Sequence, residues 1–293
     1  MLTCTGMPPV EVLELWATSP AGLAFAFAIG AVLGSFANVC IYRLPPSDEH
    51  PEGQSIVSPG SRCGSCGTAV RWYDNLPIVS YLLLRGKCRS CNVGFTPRYL
   101  FVEVATGMLF SGVYALCVTT LYFEEPLAVR LGRFAIYAMF CLVLVVVAFI
   151  DLDTKLILNK VTYPSIVLFY GLGLTLPERL WYDGLIGAAV GYGGIRLIAD
   201  GYYWLTKREG MGYGDGKLLA LVGALFGWQG VLMSLFAGSL VGSVIMVTAL
   251  LIQRRSNIRH VELPFGPFLV VGAIGYMFGE TWVKVSFSVL WGG

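Results

Sequence analysis

Phe140-Cys-Leu-Val-Leu-Val-Val-Val-Ala-Phe-Ile-Asp151 is an unbroken apolar run closed by an aspartate. Such a run fits the inside of a bilayer, and a carboxylate at its edge is expensive there unless it has a task. A second acid sits in a matching place. Asp215 ends Gly212-Tyr-Gly-Asp215 and is followed by the apolar run Leu218-Leu-Ala-Leu-Val222. Two carboxylates meeting on one side of a membrane have the makings of an acid–base pair that activates water.

The rest of the chain agrees with a membrane reading. Of 293 residues, 56% are hydrophobic and 13% are charged, against roughly a quarter charged in an ordinary soluble domain. Mean hydropathy is +0.70. The fold class expected is therefore an all-α polytopic membrane protein. Its net charge of +2 says little about partners, and no nucleic-acid partner is expected.

Residues 1–20 lack Lys and Arg and carry Glu11 and Glu14, so the basic start of a signal peptide is missing. The run 21–41 ends at Arg43 and reads as a retained first span with its N-terminus outside. Further spans are expected at 99–122, 132–150, 158–175, 183–205, 216–227, 231–252 and 264–284, which makes about eight. The run 216–227 is short, and a re-entrant segment there would lower the count to seven. With eight spans, the segments on one side hold thirteen Lys and Arg, seven of them within 42–98, while the other side holds Arg130, Arg133 and Arg179. The basic side is the cytoplasmic one by the positive-inside rule. This topology places Asp151 and Asp215 at that same face.

Residues 43–98 form the only long non-apolar segment. They contain Cys63-Gly-Ser-Cys66 and Cys88-Arg-Ser-Cys91, with 21 residues between the pairs. Two Cys-x-x-Cys pairs at about this separation read as a four-thiolate zinc site, Cys63, Cys66, Cys88 and Cys91. A reducing compartment disfavours the competing disulfide reading. Four thiolates close the coordination sphere, so the metal is expected to hold the insertion together, with Gly64 and Gly67 easing the turns. Cys4, Cys40, Cys117 and Cys141 are expected as small packing residues. The two histidines, His50 and His260, form no His-Glu-x-x-His and read as loop residues. The domains expected are 1–42 (tail and first span), 43–98 (tetracysteine insertion) and 99–293 (transmembrane core).

Asp151 has a competitor two residues on, Asp153, which on a helix would point elsewhere. Position alone also leaves room for solvated span ends, for an Asp215–Lys217 ion pair, and for the proton relay of a carboxylate-gated transporter that would include Glu103. A non-catalytic scaffold with a zinc knuckle is a further alternative, though it leaves Gly-x-Gly-Asp unexplained.

The order of motifs resembles bacterial prepilin peptidases (type IV leader peptidases) along nearly the whole chain. The resemblance is carried by Gly34-Ser-Phe-Ala-Asn-Val-Cys-Ile-Tyr-Arg-Leu-Pro45, Trp72-Tyr-Asp-Asn-Leu-Pro77, Ser80-Tyr-Leu-Leu-Leu-Arg-Gly86, Arg98-Tyr99, Val102-Glu103 and Pro264-Phe-Gly-Pro-Phe-Leu269. It also rests on Gly212-Tyr-Gly-Asp-Gly-Lys-Leu218, a motif shared with presenilin-like intramembrane proteases. The resemblance implies that Asp151 and Asp215 are the catalytic pair. One departure concerns Ile157-Leu158-Asn159, where the family usually has Ile-Pro before Asp or Asn.

Members of that family remove the short basic leader of type IV prepilins and type II secretion pseudopilins at the cytoplasmic face of the bacterial inner membrane. Many also methylate the new N-terminus with S-adenosylmethionine. The resemblance thus implies an enzyme with prepilins and pseudopilins as substrates, membrane lipid around it, structural zinc and S-adenosylmethionine. A peptidase without methyl transfer is the alternative. No Gly-x-Gly-x-x-Gly precedes a helix in 43–98, so the methyl-donor residues stay unassigned. Asn38, Arg43, Asn75 and Glu103 are polar candidates near that face. Each also has a structural reading: an interhelical hydrogen bond, a membrane anchor, a turn former, and a buried partner for Arg98 or Arg43.

Overall fold

The computed structural model describes residues 9–48, 50–207, 212–253 and 264–291. Cys4, Arg208, Arg254, Arg255, Arg259 and His260 lie outside them. The described residues fold into helices α1 (Pro9–Ala17), α2 (Pro20–Arg43), α3 (Val79–Leu83), α4 (Arg98–Tyr114), α5 (Leu127–Thr154), α6 (Asn159–Gly173), α7 (Trp181–Thr206), α8 (Tyr213–Gln253) and α9 (Gly266–Trp291). Among the described residues there is no strand, only two isolated bridges within the insertion. The all-α expectation holds.

Among the described residues, five helical stretches are long and apolar enough to cross a membrane: Pro20–Arg43, Arg98–Thr120, Leu127–Thr154, Tyr213–Thr248 and Gly266–Ser286. The exact count of eight spans is not confirmed by these stretches. α6 has 15 residues, a rise of about 22 Å that falls short of a hydrocarbon core of about 30 Å. α7 is long, but it carries Asp183, Arg196 and Asp200 along its length. The runs expected at 216–227 and 231–252 are two helical stretches of α8, parted by a kink at Gly227, whose backbone is not helical (φ 72°, ψ −172°).

The chain divides into two compact units, Met1–Val146 and Val147–Gly293. In the first, Ser19 caps α2: its hydroxyl accepts from Ala21 N at 3.2 Å, and Pro20 occupies the first turn, where no N–H is needed. α2 packs along α4 through small residues. A Cβ on Gly34 would lie 2.9 Å from Glu103 Cα, so only glycine permits this approach. α4 ends in a π-helical turn, Ala115–Thr120. Arg130 donates to Val118 O there (2.8 Å) and pairs with Glu14, while Arg133 pairs with Glu125 at 3.0 Å. Both arginine side chains are fully buried. Read from sequence as loop charges, they are internal structural cations.

In the second unit, α8 packs against α6, α7 and α9. Gly184, Gly187 and Gly191 lie on one face of α7, all buried. A Cβ on Gly187 would meet Gly223 O at 2.3 Å, so the two backbones touch. At the kink, Arg179 donates to Phe226 O at 3.3 Å and pairs with Glu280 of α9. This supplies a partner for a carbonyl at the point where the helix is interrupted. Arg179, too, is internal and not a surface charge.

Candidate active site and metal centre

Asp151 lies in the last turn of α5 and Asp215 in the first turn of α8, both within the second unit. Asp151 is 5% exposed. Its Oδ2 accepts the backbone N–H of Gly266 at 3.1 Å. Gly266 opens α9, so this N–H is one of the amides a helix start leaves without an internal partner. A Cβ on Gly266 would stand 2.5 Å from Asp151 Oδ2. The glycine of Pro264-Phe-Gly-Pro therefore makes room for the carboxylate and also donates to it. The motif by itself assigns this glycine no role.

Asp215 is half-buried and near enough to Asp151 for the charge of one to act on the other. Its own N–H donates to Gly212 O at 3.2 Å. The two flanking glycines are seated against neighbours. A Cβ on Gly214 would come within 3.2 Å of Ile157 Cβ, and one on Gly216 within 3.3 Å of Ile195 Cβ. Ile157 belongs to the loop that departs from the family pattern. The loop turns at Lys155 (φ 55°), and α6 begins at Asn159 without a proline. Lys217, the alternative partner for Asp215, donates instead to Asn159 Oδ1 at 2.6 Å. Asp153 is exposed, on a different face of α5 from buried Asp151. An acid pair of this kind can hold one proton between two carboxylates and so offer a base and an acid together.

The four cysteines of the insertion converge. The sulfurs of Cys63, Cys66, Cys88 and Cys91 all lie within 4.8 Å of one another, and none is in a disulfide. Cys63 and Cys91 sulfurs are 3.8 Å apart, close to the edge of a tetrahedron with metal–sulfur bonds of about 2.3 Å. The two halves repeat one design. Gly67 N donates to Cys63 O and Cys63 N to Thr68 O; Asn92 N donates to Cys88 O and Cys88 N to Val93 O. Gly67 (φ 67°) and Asn92 (φ 57°) occupy equivalent left-handed positions. Gly64 has no such angle, so of the two glycines expected to shape the knuckles only Gly67 does so through backbone freedom.

The thiols are unlike one another. The Thr68 side chain, 3.2 Å from Cys66 Sγ, helps bring that thiol down to about 6. At Cys91 the Val93 backbone amide pulls the other way, but desolvation and the neighbouring sulfurs win and push it up to about 12. Arg89, between the second pair of cysteines, grips Asp74 through Nε–Oδ2 at 2.9 Å and Nη2–Oδ1 at 2.5 Å. This hydrogen-bonded pairing holds the Asp74 carboxyl below its ordinary range and Arg89 above its own. The other cysteines expected as packing, Cys40, Cys117 and Cys141, are buried, and His50 is exposed.

A cavity of about 580 Å³ opens between α2, α4 and the insertion, inside the first unit. All four polar candidates, Asn38, Arg43, Asn75 and Glu103, line it, with Asp74, Tyr81 and Lys87. Their structural roles are also visible. Asn38 Nδ2 donates to Tyr99 O at 3.1 Å, the interhelical bond expected of it. Arg43 donates to Ser55 O at 3.0 Å, and Asn75 closes the short 3₁₀ turn Trp72–Asn75. Glu103 does not play the role expected of it as an arginine's partner. Its Oε2 accepts Ile78 N at 2.8 Å.

Comparison with known proteins points the same way. The family model described as Bacterial Peptidase A24 N-terminal domain matches residues 28–117, and that described as Type IV leader peptidase family matches residues 138–247. The chain is 34% identical to a Stutzerimonas stutzeri protein named prepilin leader peptidase/N-methyltransferase, over 94% of this chain and 96% of that one. It is 34% identical to the Aeromonas salmonicida (strain A449) protein of the same name, over 92% and 94%, and 34% to that of Burkholderia pseudomallei (strain 1026b), over 96% and 92%. No solved structure matches the chain. Asp151 and Asp215 both fall within the residues matched by the Type IV leader peptidase family model, and the chain belongs to the type IV leader peptidase family.

Proposed function

We propose that this chain is an integral membrane aspartic endopeptidase that removes the leader of type IV prepilins and type II secretion pseudopilins, then methylates the new N-terminus. The observation that carries the peptidase reading is the pairing of buried Asp151, seated on Gly266 N–H, with Asp215 in the same unit. One carboxylate of the pair, ionised, takes a proton from water as it attacks the scissile carbonyl. The other, protonated, polarises that carbonyl oxygen and later supplies a proton to the leaving amine. Gly212, where a Cβ would meet little besides Asp215 Oδ2 at 3.9 Å, leaves space for an extended substrate backbone beside that carboxylate. The charge asymmetry of the sequence supports a site at the cytoplasmic face of the bacterial inner membrane, where a basic leader remains after insertion. The burial of Arg130, Arg133 and Arg179 as internal pairs strengthens that asymmetry.

The two further groups fit the residues present. Cys63, Cys66, Cys88 and Cys91 would hold zinc as a closed four-thiolate site, a structural clasp for the insertion 43–98. The 580 Å³ cavity is of the size that encloses a small cofactor, and S-adenosylmethionine bound there would supply an electrophilic methyl group. Asn38, Arg43 and Asn75 line that cavity as polar contacts for the molecule. Segment 99–293 carries the peptidase chemistry, and segment 43–98 helps to form the methyl-transfer chamber. The deciding experiment is cleavage of a purified prepilin by the purified chain, with and without Asp215→Ala. Leader loss that survives the substitution would overturn the peptidase assignment.

A further inference from the structure

Glu103 differs from the other paired glutamates described above. Glu14, Glu125 and Glu280 each face an arginine. Glu103 is 8% exposed, lines the cavity, and is held by one neutral donor, Ile78 N. A carboxylate has room for about four hydrogen bonds, so this fixed donor leaves it with acceptor capacity and with no arginine to balance its ionised form.

The donor at Ile78 is itself unusual. Ile78 has φ 62° and ψ −55°, and Val79 N donates across it to Pro77 O at 2.5 Å, a three-residue turn with positive φ. A β-branched residue is strained in this conformation. Strain of this kind persists where surrounding contacts over-determine it, and it gathers at sites that need a fixed group. Here the strained turn aims one backbone N–H at one carboxylate oxygen and locks the Glu103 side chain in place.

We infer that Glu103 is the receptor and proton acceptor for the primary ammonium of the polypeptide N-terminus that is to be methylated. This rests on the reading of the cavity as the methyl-transfer site. One ammonium N–H bond breaks as a Glu103 O–H bond forms, leaving a neutral amine with a free lone pair. The amine nitrogen then bonds to the donor methyl carbon while the carbon–sulfur bond breaks, and sulfur keeps that electron pair. The proton leaves Glu103 for solvent, restoring the carboxylate.

Glu103→Gln separates this role from a structural one. Its amide oxygen still accepts from Ile78 N, but the side chain has neither negative charge nor basicity. The full-length protein in detergent is tested for binding of a short apolar peptide with a free N-terminus, of its N-acetylated twin, and of S-adenosylhomocysteine. The unsubstituted protein should prefer the free amine by about tenfold, the worth of one charge-assisted bond. In Glu103→Gln the preference should vanish, S-adenosylhomocysteine binding and the unfolding temperature should be unchanged, and methylation should slow by roughly 100-fold or more. Absence of a free-amine preference in the unsubstituted protein would overturn the inference whatever the variant does. So would a Glu103→Gln protein that methylates normally, which would mark Glu103 as a turn anchor. Loss of S-adenosylhomocysteine binding alone would assign Glu103 to the ammonium of the methyl donor instead, also against the proposal. An unsubstituted protein with no methylation at all would refute the reading of the cavity, while the peptide-binding arms still decide the question of Glu103.

Discussion

The backbone N–H of Gly266 reaches Asp151 Oδ2 at 3.1 Å across 115 residues of sequence, at a position where any Cβ would collide with that same oxygen at 2.5 Å. The N-terminus of α9 is thus part of the seat of Asp151. Gly266→Ala should displace the carboxylate by a few tenths of an ångström or more and reduce leader cleavage on the order of 100-fold, the usual consequence of misplacing a reacting group. Cleavage kinetics beside a thermal unfolding curve will check this. Normal kinetics in a folded Gly266→Ala protein would mean that the seat does not matter.

Asp151→Asn and Asp215→Asn should each reduce cleavage by at least about 1,000-fold, since neither amide can exchange the proton the reaction needs. Asp153→Asn should keep most activity, because Asp153 is exposed on a different face of α5. Following leader loss by gel mobility distinguishes the three. A dead Asp153→Asn beside an active Asp151→Asn would reverse the assignment.

Serine in place of Cys63, Cys66, Cys88 or Cys91 should lower bound metal from one ion per chain and make 43–98 more sensitive to protease. Metal analysis of purified protein gives the stoichiometry directly. Bound metal should also fall as pH falls, because the ligands bind as thiolates and protons compete for them. A metal-free preparation with the four cysteines oxidised to disulfides would exclude the site.

Glu280→Ala should destabilise the second unit by about 3–5 kcal/mol, the cost of leaving a buried arginine without its carboxylate. The pair is 6% exposed on each side, and the same arginine donates to Phe226 O at the α8 kink. Glu280→Gln, which retains an acceptor, should cost less. Chemical unfolding in detergent measures both, and equal stability of Glu280→Ala and the unsubstituted chain would show that Arg179 finds another partner.

Much of the site was legible because its signals are local. The tetracysteine spacing, the aspartates at the ends of apolar runs and the glycines around Asp215 each occupy a few consecutive residues. The choice of Asp151 over Asp153 agrees with burial of the first and exposure of the second. What sequence could not show depends on distant partners. Arg130 meets Glu14 across 116 residues and Arg179 meets Glu280 across 101, so both arginines look like loop charges until the chain is folded. The two runs on either side of Gly227 were legible as separate stretches, because non-helical backbone there parts α8 in two, whereas the length of α6, too short to reach across, was not. Ile78 gives no warning of its backbone angles, because isoleucine is among the last residues expected there.

The repeat of one knuckle design at Cys63–Thr68 and Cys88–Val93 has a bearing on chain entropy. The segment that carries both halves is already tethered at its two ends, because α2 and α4 pack against each other. The helices therefore bear the cost of closing the large loop, and a metal at the knuckles only subdivides it, an increment that grows slowly with loop length. Each half supplies one buried and one exposed sulfur, so neither half completes a coordination sphere alone. Stripping the ion should free the insertion as a tethered coil while the helical pair beneath it stays packed. A melting curve of the helices would miss that change, whereas amide exchange confined to residues 60–95 would show it.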